Sequence, residues 1–232
     1  MLCVSPFIFD VIFALIKDHP TFHNNSQNSQ VPVSIQLAVM LYQLGHYSNG
    51  ASVDNVARMA GIGEGSVHNF TKHCFCAIKS LHDVFVRPLT EEEKEQEKRW
   101  MEKHMGFGGL WREGYLMYDG TIVVLYAQPG LDGAAYYTYK ANYGINVQIG
   151  NTPSNLQIVD YSTGHTGLAY DVSAFEYTTA YCFPELLFRG EEFAWADLAY
   201  RASPHLVPIH KQPTSSLDYN TYFDCNVSSF CV

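Results

Sequence analysis

The sequence predicts a mixed α/β chain preceded by an N-terminal all-α segment, and three observations carry that reading. Up to residue 83, apolar residues recur at helical spacing between polar and glycine-containing breaks. A run rich in Glu and Lys, TEEEKEQEKRWMEKH (90–104), then divides the chain. Beyond GFGG (106–109) the pattern changes to β-branched and aromatic runs with one helical interval. The expected division is a helical domain over 1–90, a charged helical connector over 91–109 and a sheet-bearing domain over 110–232.

The first helix lies in FIFDVIFALI, with Phe9, Ile12, Phe13 and Ile16 on one face. Asp10 interrupts the run and no basic residue precedes it, so it does not read as a signal peptide. It is also too short to span a bilayer. HPTFHNNSQNSQVP (19–32) reads as a loop closed by Pro32. From Val33 a second helix follows through Ile35, Ala38, Val39, Leu41 and Tyr42, stopped by Gly45 and the SNG of Ser48 to Gly50.

Two more helical patterns in ASVDNVARMAGIGEGSVHNFTKHCFCAIKSLHD are separated by Gly61, Gly63 and Gly65. Helix, tight turn, helix is the arrangement in which a second helix can lie in the DNA major groove. Ser66 is the expected N-cap of that helix, which exposes His68, Asn69, Thr71 and Lys72. Asn can read adenine, and Lys can meet phosphate or guanine. A plain helical bundle explains the same spacing equally well. The charged run is expected to be a solvated connector laced by i,i+4 pairs. After it, strands are expected at Tyr115–Leu125, Tyr143–Ile149, Leu156–Tyr161 and Phe193–Ala196, with a helix from about Val172 to Ala180.

The 232 residues carry a net charge of −9 and are 47% hydrophobic. A globular chain follows, and a basic nucleic-acid coat is excluded as its main role. The acid is uneven: residues 1–90 hold five basic and five acidic side chains, whereas 104–232 hold five and twelve. Six cysteines without a CxxC pair point to reduced thiols in a soluble intracellular protein. Cys74 and Cys76, two apart on a helix, point away from each other. The ten histidines show no zinc spacing, and His46, His68 and His73 read as surface or groove residues. GxxxxGK[ST], GxSxG and HExxH are all absent.

Two aspartates stand in apolar company, which is costly unless something pairs with them or binds them. Asp119 lies in LMYDGTIVVLYAQPG, followed by Gly120, which allows close approach of backbone or ligand. Asp197 ends the strand signal of EEFAWADLAY. Each alone is most simply a turn or strand-end acid capping backbone groups. Together they suit Mg²⁺ or Mn²⁺ in phosphodiester cleavage, or equally the acid and base of a glycosidase. Spacing does not separate these readings.

Several ordered blocks resemble the DDE endonuclease domain of Harbinger-type transposases, the fungal branch in particular. They are DGT (119–121), Pro129, YYTYKANYGINVQIGNT (136–152), IVDYSTGHTGLAYDVSAF (158–175) and WADLAYRASPHLVPIHKQP (195–213). PVSIQLAVMLYQLG and GASVDNVARMAGIGEGSVHNFT resemble the helix-turn-helix that precedes that domain. The resemblance implies an RNase H-like mixed sheet with helices, a divalent metal cofactor (Mg²⁺ or Mn²⁺), double-stranded DNA as substrate, a nuclear location and a Myb-like DNA-binding partner protein. By position it makes Asp119 the first metal-binding catalytic acid and Asp197 the second. Asp171 matches a further family Asp, with Tyr170 where His usually stands, and is expected to support the ligands.

The chain departs from the family in two places. Leu198, Ala199, Tyr200 and Arg201 replace the usual Ser and Ala-Tyr-Pro. NTYFDCNVSSFCV stops before the Arg-rich stretch and the Glu that supplies the third ligand. Asp218 and Asp224 are available acids, Asp224 at a usual Asn position, and neither is expected on the family's ligand-bearing helix. The expected protein is therefore a DDE-type nuclease with a third ligand missing, weak metal binding and slow or absent cleavage. The alternatives are a non-catalytic DNA-binding remnant acting through its helices and, with no ordered motif behind it, a glycosidase-like hydrolase.

Overall fold

A computed structural model describes residues 2–24, 27, 29–46, 52–106, 108–211 and 213–228. The chain divides into two compact units, Met1–Val84 and Phe85–Val232.

The first unit is helical. Ser5 caps α1 (Pro6–Ile16) by accepting from the Ile8 N–H at 3.3 Å, with Pro6 where its missing donor costs nothing. Phe9, Ile12 and Phe13 pack around the buried Ile16, as the spacing predicts. Along α2 (Val33–Leu44) the most buried positions are Gln36, Leu37 and Met40, whereas Ile35 faces solvent. Val39 and Leu41 are inside as expected. Gly45 caps α2, and the stop expected at Ser48 to Gly50 lies outside the described residues.

Ser52 caps α3 (Val53–Ala60), which ends at Gly61 in the left-handed region at φ 65°, where a side chain would be strained. Two residues later, Gly63 stands as the N-cap of α4 (Glu64–Lys79), without a side-chain cap. Ser66 is thus inside the first turn of α4, and its expected role as N-cap is corrected. The glycine turn is so tight that the helix is already closed by the Ser66 N–H donating to the Gly63 carbonyl at 2.9 Å. Val67, Phe70, Cys74 and Ala77 form one buried stripe along α4. Burial pushes the Cys74 thiol up to about 11, while Cys76 lies exposed on another side of the helix. A single turn, α5 (His82–Phe85), lies where the two units meet in sequence.

The second unit opens with α6 (Glu91–Met105). Thr90 and Glu93 form a reciprocal capping box at its start. The expected solvated connector is corrected here: Lys94, Glu97, Lys98 and Met101 are buried. Lys94 and Lys98 each donate to Glu192 at 2.8 Å, and Lys98 also reaches Glu113 at 2.5 Å. A charged sequence can pack inward because its charges are paired.

Five strands follow: β1 (Gly114–Val124), β2 (Gly144–Asn151), β3 (Ile158–Thr166), β4 (Phe193–Ala196) and β5 (Leu206–Pro208). Their order in the sheet is β3-β2-β1-β4-β5. β1 and β2 are antiparallel, as are β2 and β3, while β4 and β5 run parallel to β1. This mixed α/β architecture is consistent with an RNase H-like nuclease fold. The short β5 has no counterpart among the expected strands. Leu156, expected to start β3, instead sits at φ 59° in the turn before it.

One face of the sheet carries Leu116, Tyr118, Ala194 and Ala196 against Phe175, Ala180, Leu187 and Phe188. The other carries Met117, Phe193 and Trp195 against Met101 of α6 and Phe223 and Val227 of α9 (Asp218–Ser228). The helix expected from Val172 to Ala180 is two short pieces, α7 (Asp171–Phe175) and α8 (Thr179–Cys182). Thr178 breaks it, with extended backbone at ψ 159° and its hydroxyl donating to the Phe175 carbonyl at 2.7 Å.

Candidate functional site

Tyr118 of β1 stands opposite Ala196 of β4 in parallel register. The next residues along the chain are Asp119, still within β1, and Asp197, just past the end of β4, so the two acids emerge at one level near the carboxyl end of β4. That end of parallel strands is where open α/β sheets place ligands. Side chains alternate along a strand, so Asp119 follows Met117 and Asp197 follows Trp195 onto the face covered by α9.

Each aspartate is steadied by the peptide after it. The Gly120 N–H donates to Asp119 Oδ1 at 2.7 Å, and the Leu198 N–H donates to Asp197 Oδ1 at 2.6 Å. Crowding around the Asp119 carboxyl raises its pKa, and the Asp197 and Asp171 carboxylates add to the rise, against the lowering effect of the Gly120 N–H. Two carboxylates left to repel each other are a donor pair suited to a hard divalent cation. Among the described residues, no group of three or more His, Cys, Asp or Glu side chains could hold a metal ion. The fit is that of two oxygen donors and no more.

Asp171 is electrostatically coupled to Asp119 but approaches from the opposite face. It begins α7 and rests over Gly120, where an added Cβ would overlap its carboxyl group. Its Oδ1 accepts from Asn146 Nδ2 at 3.0 Å and Gln148 Nε2 at 3.1 Å. That face opens into a cleft of about 890 Å³ lined by Gly120, Asn146, Tyr170, Asp171 and Arg201, among others, but by neither Asp119 nor Asp197.

Asp218 and Asp224 both lie on α9, the helix after β5. Asp224 Oδ1 accepts from the backbone N–H of His210 and lies against His210 Nδ1, both at 2.9 Å. Its Oδ2 is buried with no hydrogen-bond partner among the described residues.

Of the residues expected to face DNA, His68, Asn69 and Lys72 are exposed on α4 and Ser66 is half-buried. Thr71 is turned inward by a 3.1 Å hydrogen bond to Gln43 Oε1, correcting its expected exposure. His73 is likewise half-buried, 3.0 Å from Gln36 Oε1 and edge-on to Phe22, rather than a groove residue.

The residues that sequence reasoning missed are Asn146, Gln148 and Tyr200. All three are buried, and Tyr200 donates its hydroxyl to Gln148 Oε1. Their signal was the polar pair set two apart within β2, which alternation alone assigns to the solvent side.

Among the described residues, no helix is long and apolar enough to cross a membrane. No curated protein and no solved structure matches the chain. Residues 118–231 match the family model described as DDE superfamily endonuclease. That stretch runs from the β1 strand bearing Asp119 through Asp197 to α9, and the match supports the DDE endonuclease superfamily, whose members generally use divalent metal ions, for the sheet-bearing unit.

Proposed function

We propose that the sheet-bearing unit is a transposase-derived nuclease of the Harbinger type, close to its fungal branch, acting on phosphodiester bonds of double-stranded DNA. The observation that carries this reading is the Asp119 and Asp197 pair at one level of two adjacent parallel strands, inside the matched region. Asp119 and Asp197 would hold Mg²⁺ or Mn²⁺. Such a cation supplies Lewis-acid polarisation of a phosphoryl oxygen and a more acidic bound water. The chain's own contribution is to hold the two carboxylates in register, each steadied by the peptide N–H that follows it.

With two carboxylates and no third ligand among the described residues, binding is weak and strand cleavage slow or absent. The test is an electron paramagnetic resonance titration with Mn²⁺, alongside nicking of supercoiled plasmid. Uptake by the wild type that disappears in Asp119→Asn and in Asp197→Asn supports the site. No uptake, or uptake unchanged in both variants, refutes it.

A second reading rests on a different observation. His68, Asn69 and Lys72 form an exposed patch on α4, directly after the tight turn at Gly61 to Gly63. We infer that the helical unit acts as a helix-turn-helix and meets DNA through α4, with or without cleavage by the other unit. A nuclear location and a Myb-like partner follow from the transposase reading. Co-purification of such a partner from nuclear extract checks them, and recovery of none counts against the partner.

A further inference from the structure

Four polar side chains form one bonded group on the sheet face opposite Asp119. Gln148 stands across from Gly120 in the β1–β2 register. Its Nε2 donates to Asp171 Oδ1 at 3.1 Å and to Asn146 Oδ1 at 2.9 Å, and its Oε1 accepts from the Tyr200 hydroxyl. Asn146 Nδ2 donates to Asp171 Oδ1 and to the Ala169 carbonyl, both at 3.0 Å. Gln148 is fully buried and Asn146 and Tyr200 are each 2% exposed.

Apolar residues would fill this space without the cost of desolvating amides and a phenol. A fully satisfied polar network is instead directional, holding its members in one arrangement. Both ends of this one reach the candidate acids. At one end Asp171 packs on Gly120, the residue after Asp119, and only glycine leaves room for it. At the other, the Tyr200 N–H donates to the Asp197 carbonyl at 3.2 Å, closing the turn that follows β4. The path from Asp197 through Tyr200, Gln148 and Asp171 to Gly120 and Asp119 is continuous.

We propose that Gln148 and Tyr200 are positioning residues that hold Asp119 and Asp197 in mutual register from behind the sheet. Neither touches the face where the two carboxylates emerge. Their effect is on the two peptides whose N–H groups steady those carboxylates. The inference rests on the metal-site reading for its chemical consequence, and on the hydrogen bonds together with the Asp171–Gly120 packing contact for its structural one.

The experiment uses the full chain and two readouts. Amide hydrogen exchange at Gly120 and Leu198 is followed by NMR without metal, and Mn²⁺ affinity is followed by electron paramagnetic resonance. Tyr200→Phe deletes only the hydroxyl that joins Gln148. Tyr115→Phe, which deletes a buried hydroxyl donating to the Leu187 carbonyl at 2.5 Å, is the control for loss of a core hydrogen bond. Tyr200→Phe is expected to speed exchange at Leu198 and Gly120 more than Tyr115→Phe does, and to weaken Mn²⁺ binding by about 10–100-fold, the usual effect of removing support behind a ligand. Gln148→Met should reproduce it. Equal effects of Tyr200→Phe and Tyr115→Phe on exchange overturn the proposal. If the wild type takes up no Mn²⁺, the metal reading fails and the exchange comparison alone decides the positioning role.

Discussion

Asp119 and Asp197 are neighbours across a parallel strand pair, one residue beyond the registered Tyr118 and Ala196. Crowding and the nearby Asp197 and Asp171 carboxylates raise the Asp119 pKa. Because this folded-state pKa lies above the unfolded value of about 3.9, ionising Asp119 destabilises the folded state at neutral pH. The penalty is complete above the raised pKa and vanishes as pH falls below the unfolded one. Asp119→Asn should therefore raise the metal-free melting temperature at pH 7, with the gain shrinking towards zero in acid. Thermal melts of both proteins across roughly pH 3 to 8, a span that covers carboxylate titration, check this. A variant less stable than wild type at pH 7 would mean that Asp119 serves as a structural cap.

Gly120 makes room for Asp171, and the prediction for Gly120→Ala follows from that contact. The added methyl would overlap the Asp171 carboxyl and come within 3 Å of Gln148 Nε2. Neither neighbour is free to retreat, since both belong to the bonded group behind the strand. A loss of about 1–3 kcal/mol is expected, the usual result of overpacking. Urea denaturation measures it. Gly130→Ala, where an added Cβ meets nothing within 4 Å among the described residues, is the comparison and should change stability far less.

Glu192 is the hub of the buried charges of the sheet-bearing unit. Burial on its own would raise its pKa, but hydrogen bonds from Lys94, Lys98 and the Arg189 N–H bring it below the ordinary value. A lowered folded-state pKa means stabilisation that is complete above the unfolded value of about 4.3 and lost as pH falls through the folded one. Glu192→Gln removes the carboxylate that two buried ammonium groups share, leaving Lys98 to Glu113 and Lys94 to Glu91, 3.6 Å away. It should cost about 3–5 kcal/mol at pH 7, and the deficit should narrow in acid, where the wild type also loses the charge. A deficit independent of pH would assign the effect to shape rather than to ionisation.

Much of the sheet was legible because β1 and β4 are apolar runs with abrupt ends, and Asp119 and Asp197 stood out within them. β2 was harder to read by face. Ile145, Val147 and Ile149 alternate with Asn146 and Gln148, and simple alternation puts the apolar set inside. The structure buries Asn146 and Gln148 and leaves Ile145, Val147 and Ile149 half-exposed, because each amide finds partners on Asp171, Tyr200 or the Ala169 carbonyl. Composition misled in the same way at α6, where Lys94 and Lys98 look solvated until Glu192, far along the chain, is placed beside them. Partners distant in sequence decide both cases, and local pattern does not contain them.

On α4, His68, Asn69 and Lys72 are exposed, whereas Thr71 is bonded to Gln43. Residues so placed should separate by the kind of loss they cause. Lys72→Ala is expected to weaken DNA binding evenly across sequences and to reduce the slope of log affinity against log salt by about one, as for a single phosphate contact. Asn69→Ala should cost about 1–3 kcal/mol on a preferred sequence and little on others, as for a base contact. Thr71→Ala should lower the melting temperature and leave the salt slope unchanged. With five basic and five acidic side chains over residues 1–90, the helical unit brings little net attraction to phosphate, so binding should appear only at low salt. Fluorescence anisotropy with the full chain and a salt series measures all three variants, and an unchanged slope in Lys72→Ala would remove α4 from the DNA interface.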